Sequence, residues 1–134
     1  ELALDFLDLS PGTAHDETSA CLPYAYVEDE AHRMILYRRL AEAVSVKEVR
    51  ALRDELTDRY GRPPAAVTRL LRLTELRILA AQKRIGRIET HDGKIHLFRS
   101  HERSPLLIRN RLPRLKGTRT DTRLDALFQT VRSL

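Results

Sequence analysis

Tryptophan is absent from the 134-residue sequence, cysteine occurs once, and aromatic residues make up only 5% of it. The lone Cys21 excludes an intramolecular disulfide framework and any cysteine-based zinc cluster, which fits a reducing cytoplasm. Glycine is also scarce, and no G-x-x-x-x-G-K-S/T loop is present. Lys116-Gly117-Thr118 has those letters in the wrong order, so nucleotide hydrolysis is not supported. No apolar run approaches the roughly 20 residues that span a bilayer. Glu1-Leu2-Ala3-Leu4-Asp5 lacks the basic start of a secretory signal. The expectation is a soluble cytoplasmic protein with no membrane partner. Because the first residue is not Met, the expectation is a chain excised from a longer polypeptide or one that has been trimmed.

What is present suits a folded domain. Hydrophobic residues reach 42% and charged residues 32%, and the length fits a single domain over residues 1–134. The net charge of +5 is unevenly spread: residues 1–60 hold 13 acidic and 7 basic side chains, residues 61–134 hold 6 and 17. Opposite halves of this kind either pair internally or face different partners.

Periodicity gives the elements. Leu2, Leu4 and Phe6 alternate with Ala3 and Asp5, which predicts a strand over residues 2–9. Residues 10–21 carry turn formers without periodicity and read as a flexible, solvent-exposed loop. Glu28-Asp29-Glu30 precedes an apolar run and predicts a helix from Asp29 to Ala43, with Ala31, Met34, Ile35, Leu36, Tyr37 and Leu40 as its apolar positions. Ser45-Val46-Lys47-Glu48 fits a capping box, in which the Ser oxygen and the Glu carboxylate each take a free amide at a helix start. Val49, Leu52, Leu56 and Tyr60 follow at helical spacing, and Gly61 can close that helix. Pro63-Pro64 opens a third helix running toward Gly86. Residues 85–90 and 94–99 flank His91-Asp92-Gly93 as a hairpin. A short helix over residues 104–110, a strand over 112–118 and a helix over 120–134 complete the reading. The fold class is α+β, a small sheet packed with helices in the order β-α-α-α-β-β-α-β-α.

Chemistry is less evident. His91, His96 and His101 recur every five residues, and on one strand that odd spacing sends neighbours to opposite faces, so no metal site is expected. No catalytic residue or cofactor is indicated. Arg103, Arg109, Arg111, Arg114, Lys116 and Arg119 form a basic tract that would attract a phosphate backbone, against the ordinary reading of a solvated basic face. Glu55 and Asp58 lie one helical turn apart, opposite Leu52 and Leu56. Alone, that pattern reads as a solvated face helped by ion pairs with Arg59 or Arg62.

Two segments carry a resemblance. Leu22-Pro23-Tyr24-Ala25-Tyr26-Val27-Glu28-Asp29-Glu30 with Arg33 to Ala41 is one. Leu52-Arg53-Asp54-Glu55-Leu56-Thr57-Asp58-Arg59-Tyr60-Gly61-Arg62-Pro63-Pro64 is the other, continued by Leu70-Leu71 and Leu76-Arg77. Together they resemble the C-terminal domain of bacterial transcription-repair coupling factors, the Mfd family, from about Leu22 to Gly86. The resemblance implies a noncatalytic regulator within an ATP-dependent DNA translocase whose motor lies elsewhere. Such a domain packs on the UvrA-binding domain of the same polypeptide and restrains UvrA recruitment in excision repair. Through the parent it meets UvrA, RNA polymerase and DNA. Glu55, Asp58 and Arg59 fall at the partner-facing positions of the family's signature. The alternative is a nucleic-acid-binding module that uses the basic second half.

Overall fold

The structure is a computed structural model that describes residues 1–10 and 17–134. These residues form two compact units, Asp8–Ile78 and Glu1–Leu7 with Leu79–Leu134. The observed order is β1 (Leu2–Leu4), α1 (Glu30–Glu42), α2 (Val46–Tyr60), α3 (Ala65–Gln82), β2 (Ile85–His91), β3 (Lys94–Arg99) and α4 (Thr120–Arg132). The α+β class with a small sheet therefore holds.

In the Asp8–Ile78 unit, local signals place the helices well. Asp29 caps α1 by accepting from the His32 amide. Both halves of the capping box form at α2: the Glu48 amide donates to Ser45 Oγ at 3.2 Å, and the Val44 and Ser45 amides donate to Glu48 Oε2 at 2.6 and 3.0 Å. Those amides hold the Glu48 carboxyl below its usual range, so the stability it contributes is lost as pH falls through that lowered value. Ser45→Ala is expected to cost about 1 kcal/mol in equilibrium unfolding, and a neutral result would deny the cap its role. Gly61 ends α2 with φ of 88°, a backbone conformation that a Cβ would strain. Pro64 sits just before α3 rather than inside its first turn, because its carbonyl accepts the first amides of that helix. The core joins Leu22 and Val27 to Leu36, Leu40, Val49, Leu52, Leu56, Val67 and Leu71.

Two expectations for this unit change. Residues 11–16 of the expected loop lie outside the described residues. From Ser19 to Leu22 the chain is buried, not solvent-exposed. Its backbone is satisfied there: Ala20 N–H donates to Asp8 O, Cys21 N–H to Ala66 O, and Arg69 to Ser19 O. In α1, Met34 and Ile35 are exposed, while Arg33 is buried beside Leu36 and Leu40.

In the other unit, β1 pairs in parallel with β2, Leu2 opposite Ile88 and Leu4 opposite Thr90, and β2 pairs antiparallel with β3. The hairpin turns on Asp92 and Gly93, both at positive φ (50° and 77°), as a two-residue loop requires. The expected first strand is short because a turn follows it, with Leu7 N–H donating to Leu4 O. The helix expected over residues 104–110 does not form. Leu106 N–H donates instead to Leu97 O, and Arg109 and Asn110 take positive φ in a tight turn. The strand expected over residues 112–118 reduces to a bridge between Arg114 and Lys94. Pro113 has no amide to extend it, although its carbonyl accepts from Ile95. Ile88, Ile95, Leu97, Leu124, Leu127 and Val131 are fully buried.

Candidate functional site

The site begins with the period of α2. Val49, Leu52 and Leu56 are buried three and four residues apart, which turns Glu55, Asp58 and Arg59 outward. Glu55 meets a partner in α1 rather than Arg59 or Arg62. Arg39 grips it with two hydrogen bonds, Nη1 to Oε2 at 2.6 Å and Nη2 to Oε1 at 3.1 Å. The Arg39 guanidinium holds the Glu55 carboxyl below its usual range. Both side chains stay largely exposed, at 43% for Arg39 and 58% for Glu55, so the fork orients the carboxylate without covering it. Asp58 is exposed and makes no ion pair among the described residues. The Arg59 guanidinium stands 5.6 Å from the Tyr60 ring centroid.

The end of α2 is fastened to the segment that leads into α1. Tyr26 donates its hydroxyl to Gly61 O at 2.8 Å and to Leu56 O at 3.2 Å, and its burial raises the phenol's pKa. His32 Nδ1 hydrogen-bonds the Tyr60 hydroxyl, and the Tyr26 and Tyr60 rings lie 5.6 Å apart. An open concavity of about 600 Å³ results, lined by Ala25, Tyr26, Glu28, Asp29, Arg59 and Tyr60.

Two arginines missed in the sequence position this surface. Arg33 Nη1 donates to Leu22 O at 2.5 Å and Val27 O at 3.2 Å, with its guanidinium 4.2 Å from the Tyr24 ring centroid. Arg77 Nη2 donates to the Leu40 and Ala43 carbonyls at 2.9 Å each, satisfying the end of α1 that lacks a glycine cap. Each falls inside a segment that carried the resemblance, which was the one available signal.

Arg103, Arg109, Arg111, Arg114, Lys116 and Arg119 are all exposed and, among the described residues, make no ion pair. His91 and His96 do come together, with ring centroids 5.3 Å apart. The odd-spacing argument fails because the hairpin places them on neighbouring strands, where register and not spacing decides the face. His101 lies past β3, in a turn. Among the described residues no three His, Cys, Asp or Glu side chains are arranged to hold a metal. No helix of the described residues is long and apolar enough to cross a membrane.

Comparison with known proteins points one way. The model of the TRCF domain family matches residues 17–106. The chain is 30% identical over 88 residues to the transcription-repair-coupling factor of Bacillus subtilis, a match covering 66% of this chain and 8% of that one. It is 41% identical over 70 residues to the Haemophilus influenzae protein of the same name, covering 52% of this chain and 6% of the other. The Mycobacterium bovis protein of that name matches at 48% over 60 residues, 45% of this chain and 5% of its own. The chain thus corresponds to under a tenth of these relatives' length. A crystal structure of the C-terminal domain of transcription-repair coupling factor superposes with a TM-score of 0.70 at 17% identity, covering 92% of this chain and 91% of that one, which is a likeness of fold.

Proposed function

The chain belongs to the TRCF domain family, and we propose that it is the noncatalytic regulatory domain of a transcription-repair coupling factor, packing on the UvrA-binding domain of its own polypeptide to restrain UvrA recruitment. In this reading the ATP-driven motor lies elsewhere in the parent. RNA polymerase and DNA are reached through the parent in the cytoplasm, and the domain itself needs no cofactor. The observation that carries the reading is the outward face of α2. Among the described residues Asp58 is exposed without an ion pair, Glu55 is oriented by Arg39 yet open, and Arg59 flanks them. A carboxylate has about four acceptor sites, so Glu55 can serve Arg39 and a partner's arginine together. An autoinhibitory contact must open during the working cycle, which suits a polar surface of this kind. The experiment is UvrA binding by the full-length parent carrying Asp58→Lys. Tighter binding is expected, and unchanged binding by a folded variant would return the face to solvent.

A second reading, a nucleic-acid-binding module, is supported by Arg103, Arg109, Arg111, Arg114, Lys116 and Arg119, which are exposed and, among the described residues, make no ion pair. Titrating a short DNA duplex with salt tests it. A log–log slope of about −0.9 per phosphate contact is expected, and negligible affinity at low salt removes the reading.

A further inference from the structure

We propose that the Arg109-Asn110 turn is the tip of a basic finger that docks in the major groove of duplex DNA, with the cations of its two arms on the phosphates. This rests on the nucleic-acid reading and gives it a site. Between Arg103 and Thr120 the chain carries Arg103, Arg109, Arg111, Arg114, Lys116 and Arg119 and no carboxylate. All six cations are exposed, and among the described residues none makes an ion pair. Their charge is permanent at physiological pH.

The backbone shapes this stretch into a finger. Both arms are pinned to β3: Leu106 N–H donates to Leu97 O at 2.7 Å, and Ile95 N–H donates to Pro113 O at 2.8 Å. Ile95 and Leu97 are neighbours but one on that strand, so the base is roughly 7 Å wide. At the far end Ile108 and Arg111 exchange backbone hydrogen bonds of 2.9 and 3.1 Å around Arg109 and Asn110. Those two residues have φ of 53° and 62°, the positive values that a two-residue hairpin turn needs. The major groove, about 12 Å wide, admits two adjacent strands of this kind.

The charges favour a polyanion. Positive φ is comfortable for Asn and Gly and costly for Arg, so the turn keeps a cation at position 109 against local stability. Arg114 is bridged to Lys94, which is also exposed and, among the described residues, without an ion pair. Like charges directly opposite repel, and an anion between them removes that cost. Guanidinium forks take phosphate oxygens in pairs. Residues 99–127 contain no Phe, Tyr or Trp, and Phe98 and Phe128 are buried, so unpaired bases have no such ring to stack on. That favours a duplex over a single strand. Among the described residues Leu107 is the segment's one exposed large apolar side chain, short of the apolar face that holds a protein at a membrane surface.

The test is fluorescence anisotropy of a short labelled DNA duplex with this chain, titrated with salt. Arg109→Gln with Arg111→Gln should flatten the log–log slope by about 2, because each lost phosphate contact removes about 0.9. Asn110→Pro keeps every charge but forces φ to about −65°, which opens the turn. It should weaken binding by about tenfold, the scale of one lost bidentate contact. Arg109→Gly should flatten the slope by about 1 while the melting temperature stays level or rises, a combination that a merely structural turn would not give. A slope unchanged by the paired arginine substitutions, or wild-type affinity in a folded Asn110→Pro chain, overturns the finger and leaves the nucleic-acid reading standing. Absence of binding by the wild type at low salt defeats both. Tighter binding to a single strand of equal length, or to vesicles of anionic lipid, overturns the duplex assignment. Displacement by a minor-groove-binding dye overturns the choice of groove.

Discussion

Asp58→Lys in the full-length parent is expected to raise UvrA affinity by up to about a hundredfold, the gain available when a closed form favoured 99 to 1 is fully released. Asp58 is the cleaner of the two acidic positions to reverse. It is exposed and lies opposite Leu52 and Leu56, so reversal leaves the core untouched. Glu55→Lys would also strand Arg39 beside a like charge and disturb the contact between α1 and α2. The size of the response reports burial at the interface. Losing one partner of a desolvated pair costs about 2–5 kcal/mol, and losing an exposed rim pair costs about 0–1. Thermal unfolding of the variant is the control. A stably folded Asp58→Lys parent with wild-type UvrA affinity would defeat the proposed contact.

Arg33→Met is expected to destabilise the Asp8–Ile78 unit by about 2–3 kcal/mol. The substitution keeps the length of the side chain and removes its donors. The Leu22 and Val27 carbonyls then lose Nη1 at a site where Leu22, Val27 and position 33 are all buried. Each unsatisfied buried acceptor costs about 1–3 kcal/mol. Relief from burying the guanidinium charge offsets part of that loss, which is why the expected total is below the sum. Denaturant unfolding gives the answer, with Arg33→Lys as a second probe: one ammonium cannot reproduce the stacking on Tyr24 that a planar guanidinium makes at 4.2 Å. Equal stability of Arg33→Met and wild type would mean that the carbonyls find other donors.

These two residues also mark the limit of what was legible in the sequence. Ser45 and Glu48, or Asp92 and Gly93, announce their structure because their partners lie within a few residues and the chemistry of a cap or tight turn is local. Arg33 and Arg77 reach carbonyls as far as 37 positions away, so no spacing rule could select them. The apolar positions of α1, Met34 and Ile35 among them, run round too much of the helix to point to one side, and the direction of its buried side is set by tertiary contacts that close over Arg33, Leu36 and Leu40. Pro105 suggested a helix start, but an amide two positions before Ile108 found the end of β3 first. At the candidate site, the acidic period of α2 was readable, whereas the choice of Arg39 over Arg59 as the partner of Glu55 depended on how two helices meet.

The parallel pairing of β1 with β2 also constrains the order of folding. Leu2 and Ile88 are neighbours in the sheet, yet the whole helical unit lies between them in the chain. Closing a flexible loop of that length costs about 4 kcal/mol by the (3/2)RT ln n rule, against the few hydrogen bonds that a three-residue strand can return. The β2–β3 hairpin has no such cost and forms on the microsecond scale. The first residues of the chain are therefore the last to join their sheet. They can do so cheaply only after residues 8–78 have folded, when the gap to be closed is no longer that of a random coil.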